Sequence, residues 1–210
     1  MIATIILVSV LVLSIILHEL AHGYAANWLG DPTARLAGRL TLNPIHHIDP
    51  LGSIIIPGLL FFSGAGFLFG WAKPVPYNPY NLRNRRWGEA FVAAAGPLTN
   101  LLLAVIFAIL IRMSGQLGLS GAFLEVANFI VLINIVLALF NSIPFPPLDG
   151  SKVITPFLPF GLAQQYQALG AMVERLGFVG MFIILFLFIQ VFSQPFGRLI
   201  YAIHSAFVGG

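Results

Sequence analysis

Long apolar runs divide this chain, and four of them predict helices that cross a membrane. They lie at about 2–29, 89–111, 123–140 and 176–192, and about 20 apolar residues are enough to span the hydrocarbon core of a bilayer. A fifth apolar stretch, at 51–71, is interrupted by prolines and glycines. This stretch is predicted to be re-entrant or to lie within one leaflet, because irregular backbone at membrane depth must be buried against protein.

The polar stretches between these runs are short. Residues 33–42 alternate loosely and end at Asn43-Pro44, which predicts short strands or a β-hairpin. Residues 162–175 are less apolar and carry three glutamines, which favours a surface helix. We therefore expect a membrane all-α fold with about four transmembrane helices, a re-entrant or lying segment and a small β-hairpin region. A single domain is expected over 1–210, with its core at about 1–155 and the surface helix and last membrane helix at about 156–210.

Composition agrees with a membrane location. Of the 210 residues, 59% are hydrophobic and only 8% are charged, whereas soluble domains contain about 25% charged residues. The sequence therefore predicts an integral membrane protein surrounded by a lipid bilayer. Its net charge of +3 comes from arginines near predicted membrane ends, which suits lipid headgroups and does not indicate nucleic-acid binding. Because the chain has no cysteine, a metal site would consist of His, Asp or Glu.

The first predicted helix contains the candidate chemistry, His18-Glu19-Leu20-Ala21-His22, after 17 residues without charge. Ionisable side chains at membrane depth are costly unless they are paired or bound. His18 and His22 share one helix face because they are four residues apart, so both can bind one metal ion. Glu19 lies about 100° round the helix, close enough to act on a water at that metal. The alternative is a satisfied polar cluster between packed helices.

A third ligand is expected from another part of the chain, since a catalytic zinc has three protein ligands and one open position. Most of the seven acidic residues lie where solvent or headgroups reach them. Asp149 differs, because it follows three prolines at the end of a predicted membrane helix and precedes Gly150. We predict Asp149 as the third ligand. The alternative interpretation is a helix N-cap, and both roles are compatible.

A shared metal also constrains the topology. His22 and Asp149 lie on the same membrane side only if residues 51–71 do not cross the bilayer. With this topology, Arg112 and Arg198 fall on the far side, and seven basic residues fall on the side of the site: Arg35, Arg39, Lys73, Arg83, Arg85, Arg86 and Lys152. The positive-inside rule then predicts an active site that faces the cytoplasm, with both termini on the opposite side.

Five separated motifs occur in order: HELAH at 18–22, GRLTLNP at 38–44, GWAKPVP at 70–76, AAAGPLTN at 93–100 and NSIPFPPLDG at 141–150. Together they resemble the site-2 protease family of intramembrane zinc metallopeptidases. The resemblance implies that His18, His22 and Asp149 bind Zn²⁺ and that Glu19 is the general base. It also implies that Asn141 contacts the substrate carbonyl, and that this is a short form of the family without PDZ or CBS modules.

The expected function is therefore an intramembrane zinc endopeptidase that cleaves transmembrane protein or peptide substrates. We expect a multi-pass protein in the plasma membrane of a prokaryote. The alternatives are a membrane metal-ion transporter, which would need further ligands along a path across the bilayer, and a non-catalytic membrane binding protein. His46 and His47 are interpreted as ordinary turn residues near headgroups. Asn100 either bonds a neighbouring helix or lines the substrate path.

Overall fold

Helices make up the regular secondary structure of the described residues. The computed structural model describes residues 2–64 and 70–209. Its α-helices are α1 (Ile2–Trp28), α2 (Thr33–Leu36), α3 (Ile56–Ser63), α4 (Gly88–Arg112), α5 (Ser114–Leu117), α6 (Gly121–Asn141), α7 (Asp149–Ile154), α8 (Phe160–Arg175) and α9 (Gly177–Val208). The stretches long and apolar enough to cross a membrane are Thr4–Trp28, Gly88–Arg112, Gly121–Asn141 and Phe186–Val208. This confirms, for the described residues, the predicted all-α fold with four helices long and apolar enough to cross a membrane, although the last such stretch lies at Phe186–Val208 instead of at about 176–192.

Helices α1, α4 and α6 pack together at the centre of the bundle. Ala104 and Ala108 of α4 are buried against Val131 and Ile135 of α6. Side chains this small let helix axes approach closely, and close packing is what holds helices together in lipid. Helix α9 packs onto α4 and α6, so it belongs to the same bundle.

One face of α1 carries a polar stripe. Ser14, His18 and His22 are only 4%, 6% and 9% exposed, and residues spaced by four lie above one another on a helix. The stripe therefore faces the neighbouring helices α4 and α6. Val8 and Leu13, on other faces of α1, are exposed and suited to contact with lipid. This division places the HELAH motif inside the bundle.

The predicted β-hairpin at 33–42 is wrong. Residues 33–36 form α2, and residues 39–43 are irregular, with no strand. Asp31 accepts hydrogen bonds from the N–H and the hydroxyl of Thr33, an Asx turn that leads into the helix. Gly38, at a φ of +64°, follows its end. The helical turn prevails because its hydrogen bonds are local, whereas an isolated hairpin is marginal without a further strand to pair with.

The described ends of the apolar segment 51–71 lie side by side. Residues Pro50–Ile55 form a turn of π-helix, and α3, with 8 residues, is about 12 Å long and too short to cross a bilayer. The N–H of Trp71 donates to the carbonyl of Gly52 at 3.1 Å, so the end of the apolar segment lies beside its beginning. Residues 65–69 of the predicted re-entrant segment lie outside the described residues, and its depth in a bilayer stays a prediction.

The proline-rich segment after α6 turns the chain into α7. Residues 142–148 form turns and bends, because prolines lack the N–H that helix continuation needs. Helix α7 then packs against α4. This interruption at the end of a membrane helix is the one that the sequence predicted.

The C-terminal helices differ from prediction in length. Helix α8 carries exposed glutamines on one face, as expected for a surface helix. Helix α9 continues to Val208, well past the predicted end at 192, and Pro195 lies inside it. Proline removes one backbone hydrogen bond, but in a long apolar helix this loss does not end the helix.

Candidate metal centre

Two histidines of α1 meet an aspartate from a distant part of the sequence, the start of α7. Nε2 of His18 lies 3.1 Å, and Nε2 of His22 lies 3.3 Å, from the same Oδ2 atom of Asp149. The two imidazole rings meet edge to face with centroids 4.6 Å apart. Within the described residues this is the one group of three or more His, Asp or Glu side chains that could hold a metal ion. The structure thus brings together the three residues that the sequence predicts as ligands.

Hydrogen bonding determines which nitrogen of His22 is available. Nδ1 lies 2.7 Å from the carbonyl oxygen of Val92, which can only accept, so Nδ1 carries the proton. In a neutral ring Nε2 is then unprotonated, and its lone pair faces the carboxylate of Asp149. Two acceptors 3.3 Å apart repel each other unless a proton or a metal ion lies between them. Nε2 and the carboxylate therefore have the chemistry of a metal-ligand pair.

A chain of buried amides orients His18 in the same way. Nδ2 of Asn134 donates to the carbonyl of Ile130 at 2.9 Å and to the hydroxyl of Ser14 at 3.0 Å. Its oxygen must therefore accept, and it accepts from Nδ2 of Asn100 at 2.7 Å. Oδ1 of Asn100 is left to accept from Nδ1–H of His18 at 2.5 Å. Nε2 of His18 is consequently the nitrogen that faces the site.

The spacing of the ligand atoms suits zinc. Atoms about 2.1 Å from one tetrahedral ion lie about 3.4 Å apart, close to the observed 3.1 and 3.3 Å. Gly96 of α4 makes room for the imidazoles. A Cβ atom at this position would lie 2.5 Å from Nε2 of His22 and 2.6 Å from Nε2 of His18, so no larger residue fits there without displacing the imidazoles.

Asp149 is the first residue of α7, and its carboxylate faces the imidazoles. Leu148 is the N-cap residue of this helix, and no side chain caps it, so the interpretation of Asp149 as an N-cap is wrong. As a carboxylate, this group offers the kind of oxygen ligand that a metal ion binds.

Glu19 opens onto the same cavity as the three ligand candidates, which has a volume of about 430 Å³. Its Oε2 atom accepts a hydrogen bond from the backbone N–H of Val75 at 2.9 Å. Val75 belongs to the irregular segment 70–76, which Arg39 holds by donating to the carbonyl of Pro74 at 3.2 Å. Among the described residues Oε1 of Glu19 has no hydrogen-bond partner, so this oxygen is the one available to a water in the cavity.

The pattern of sequence similarity agrees with this geometry. Residues 6–119, more than half of the chain, match Peptidase family M50. The chain belongs to peptidase family M50. This membership confirms the resemblance to the site-2 proteases.

Several relatives extend the match beyond the family region. YwhC of Bacillus subtilis, classed by name as a zinc metalloprotease, is 38% identical over 198 residues, which cover 91% of this chain and 81% of YwhC. Rip2 of Mycolicibacterium smegmatis, classed in the same way, is 31% identical over 155 residues, 70% of this chain and 54% of Rip2. MJ0611 of Methanocaldococcus jannaschii, also so classed, is 43% identical over 70 residues, 32% of this chain and 35% of MJ0611. No solved structure matches the chain.

The other residues considered for the site of this M50 peptidase do not belong to the group of His18, His22 and Asp149. Asn141 lines the cavity, but its amide donates to the carbonyl of Leu137 in its own helix at 3.0 Å. His46 is exposed. His47 is buried, and its Nε2 lies 2.8 Å from the carbonyl oxygen of Thr41. Neither histidine belongs to the cluster.

Sequence reasoning missed two residues of the site and left one open. Asn100 bonds to neighbouring helices, which decides between the two alternatives for it. Ser14 and Asn134 were assigned no role, although both belong to the chain of hydrogen bonds that ends at His18. One signal was available for Ser14, because it lies one turn before His18 on the same face of α1.

Proposed function

We propose that this M50 peptidase is an integral-membrane zinc endopeptidase that hydrolyses peptide bonds of membrane-embedded substrate helices. One observation supports the proposal most strongly. Two imidazole nitrogens and a carboxylate face one another inside a bundle of apolar helices, and a glutamate opens onto the same cavity. Metallopeptidases need a metal with an open position and a general base. The family and the names of the relatives support zinc as the metal.

His18 and His22 would hold the ion through Nε2, and Asp149 through its carboxylate. When bound, Zn²⁺ lowers the pKa of a coordinated water to about 7 and polarises the substrate carbonyl. The hydrogen bonds from Nδ1 of His18 to Asn100 and from Nδ1 of His22 to Val92 keep both rings in the ligating tautomer. Three protein ligands leave one position open, as in catalytic zinc sites.

Glu19 is the proposed general base. Its carboxylate takes a proton from the attacking water and passes it to the leaving amine. The hydrogen bond from the N–H of Val75 to Oε2 fixes the orientation of the carboxylate and leaves Oε1 for the water. A positioned base of this kind contributes about 10²–10⁴-fold in rate.

The proposed role of Asn141 is to bind the substrate carbonyl. Its amide lines the cavity and would exchange the Leu137 carbonyl for the carbonyl that is attacked. A donor at that position strengthens its hydrogen bond as negative charge develops. The substrate helix must unwind locally first, because helical carbonyls are already hydrogen-bonded.

The proposed location is the plasma membrane of a prokaryote, with the site facing the cytoplasm. The relatives described above come from two bacteria and an archaeon. Arg35, Arg85 and Lys152 are among the seven basic residues that the predicted topology puts on the side of the site, and by the positive-inside rule this asymmetry supports a cytoplasmic site. Residues 1–210 are proposed as one domain, because α9 packs on the helices that carry the site.

A reconstituted assay tests the proposed function. The purified protein in lipid vesicles should cut a model transmembrane peptide, lose this activity to a chelator and regain it with zinc. His22→Ala should neither retain zinc nor cut the peptide, whereas His46→Ala, at an exposed position, should do both. Zinc flux across the vesicle membrane without cleavage would identify a transporter instead. Zinc binding without cleavage of any membrane peptide would indicate a non-catalytic binding protein.

A further inference from the structure

Lys152 brings a positive charge into the catalytic cavity. It lies on α7, three residues after Asp149, and its side chain lines the same cavity as His18, Glu19 and His22. It also lines an adjoining cavity of about 210 Å³, whose wall includes Glu89 and Tyr166. The side chain is half-buried, between the reacting centre and the smaller cavity.

This ammonium group has no acidic partner within the part of the chain that the structure describes. The ion pairs found there join Asp149 to the two histidines. Glu89 accepts a hydrogen bond from the Tyr77 hydroxyl at 3.0 Å, and Nζ of Lys152 lies over the Tyr77 ring, 5.3 Å from its centroid. The ring therefore positions the ammonium without neutralising it.

Lys152 lines the cavity beside the proposed catalytic residues, and no carboxylate of the described residues lies within ion-pair distance of its ammonium. Glu19 and Glu89 are held by hydrogen bonds from the N–H of Val75 and the hydroxyl of Tyr77, outside ion-pair distance of Lys152. An anionic group that enters the cavity can therefore pair with Lys152. The molecule that enters this cavity during catalysis is the substrate.

We propose that Lys152 is a specificity-determining residue that binds the carboxylate of an acidic side chain in the substrate, close to the peptide bond that is cut. The inference rests on the proposed function. A lysine ammonium is a compact charge with three donors. It therefore binds a carboxylate more strongly than it binds a neutral amide of the same shape. An acidic residue near the scissile bond would also place a polar group where the substrate helix has to unwind.

The test compares glutamate with glutamine in the substrate. A model transmembrane peptide carries a single Glu, moved residue by residue past the scissile bond, and each version has a Gln counterpart. Wild-type protein should cut the Glu version about 10- to 100-fold better in kcat/KM at one position. Lys152→Met should reduce that ratio to near one, and Lys152→Arg should retain most of it.

Charge reversal separates recognition from structure. Lys152→Glu should prefer a Lys at the responsive position, which a merely structural lysine would not produce. Arg85→Met, which removes a positive charge from an exposed residue, should keep the preference for Glu. The preference should also persist in phosphatidylcholine vesicles, because the carboxylate comes from the substrate and not from anionic lipid.

Three outcomes would overturn the inference. They are equal cleavage of Glu and Gln peptides by wild type at every position, an unchanged ratio in Lys152→Met, and a preference that depends on anionic lipid. Each leaves the proposed function standing, since the Gln peptides are still cut. If wild type cut none of the peptides, the proposed function itself would fail.

Discussion

At the scale of single residues, the metal site depends on side chains that never touch the metal. Asn134 is fully buried on α6, and it determines the orientation of Asn100, which in turn determines the tautomer of His18. The order begins at the carbonyl of Ile130, which can only accept a hydrogen bond from Asn134, and it passes from one side-chain amide to the next. Asn134, two hydrogen bonds away from His18, therefore controls which ring nitrogen of His18 faces the site.

Replacing Asn134 by leucine should weaken zinc binding. The amide of Asn100 would lose its acceptor at 2.7 Å and keep only the longer contact, 3.4 Å, with the carbonyl of Ser14. The loss of such supporting hydrogen bonds typically costs 10–100-fold in metal affinity, so about that decrease is expected. Competition with a zinc chelator measures the affinity. Asn128→Leu is the matched control, because the Asn128 amide donates only to the carbonyl of Leu124 in its own helix. Equal zinc affinity in both variants would contradict the role given to Asn134.

The sequence predicts the ligands and misses their supports for a physical reason. His18 and His22 are related by helix periodicity, which is local, and Asp149 by the proline-broken end of a membrane helix. Asn100, Asn134 and Ser14 come from three helices, and only the packing of those helices brings them together. The amide of Asn141 lies where a local hydrogen bond satisfies it, so its proposed catalytic role stays a prediction.

At the scale of elements, the end of α1 is fastened to the segment that leads into α4. Asp31, fully buried, accepts hydrogen bonds from the N–H of Asn78 at 2.6 Å and from the amide of Asn81 at 2.8 Å. Burial raises the pKa of this carboxyl, but its hydrogen bonds with Thr33, Asn81 and Asn78 outweigh burial and lower the pKa. The ionised form is thus the one that stabilises the fold.

Asp31→Asn should destabilise the protein by about 1–3 kcal/mol at neutral pH, because an amide NH₂ would face N–H donors. A carboxyl with a lowered pKa stabilises the folded state fully above its unfolded pKa, about 3.9, and loses this contribution as pH falls towards the folded value. The difference in Tm between wild type and Asp31→Asn should therefore shrink below about pH 4. Glu125→Gln, at an exposed position, should show no such gap. A gap that stays constant with pH would contradict the assignment.

The wrong prediction of a β-hairpin at 33–42 also concerns single elements. Loose alternation of apolar and polar residues indicates a strand, but it says nothing about a partner strand. The Asx turn at Asp31 depends partly on Asn78 and Asn81, which are far away in sequence. Helix α9 shows the same limit, since it continues past Pro195 and packs against α4 and α6, which the local sequence does not indicate.

At the scale of the whole molecule, two contacts agree with the predicted topology. Gly52 and Trp71 hold the ends of the apolar segment together. Arg112, the last residue of α4, donates to the carbonyl of Phe207 at 2.7 Å. The C-terminal ends of α4 and α9 therefore lie at the same end of the bundle. Apolar length and charge asymmetry predict the four crossings, because these are properties of composition.

Labelling of single cysteines tests the topology, and the chain has no native cysteine to interfere. Cysteines at Arg35 and Arg85 should react with a membrane-impermeant reagent from one face of the membrane, and a cysteine at Gln116 from the other. All three positions are exposed, so access depends on the membrane side alone. Reaction of the Arg35 and Arg85 positions from opposite faces would contradict the returning path of residues 51–71.

The most direct test of the whole account is Glu19→Gln, with zinc content and peptide cleavage measured on one preparation. The amide has nearly the same shape as the carboxylate but cannot accept a proton from water, and Glu19 is not among the proposed ligands. The account predicts about one zinc per chain, as in wild type, and a loss of at least about 10²-fold in cleavage rate. Near-normal cleavage by the zinc-loaded variant would contradict the mechanism, and loss of zinc would show that Glu19 helps to hold the metal.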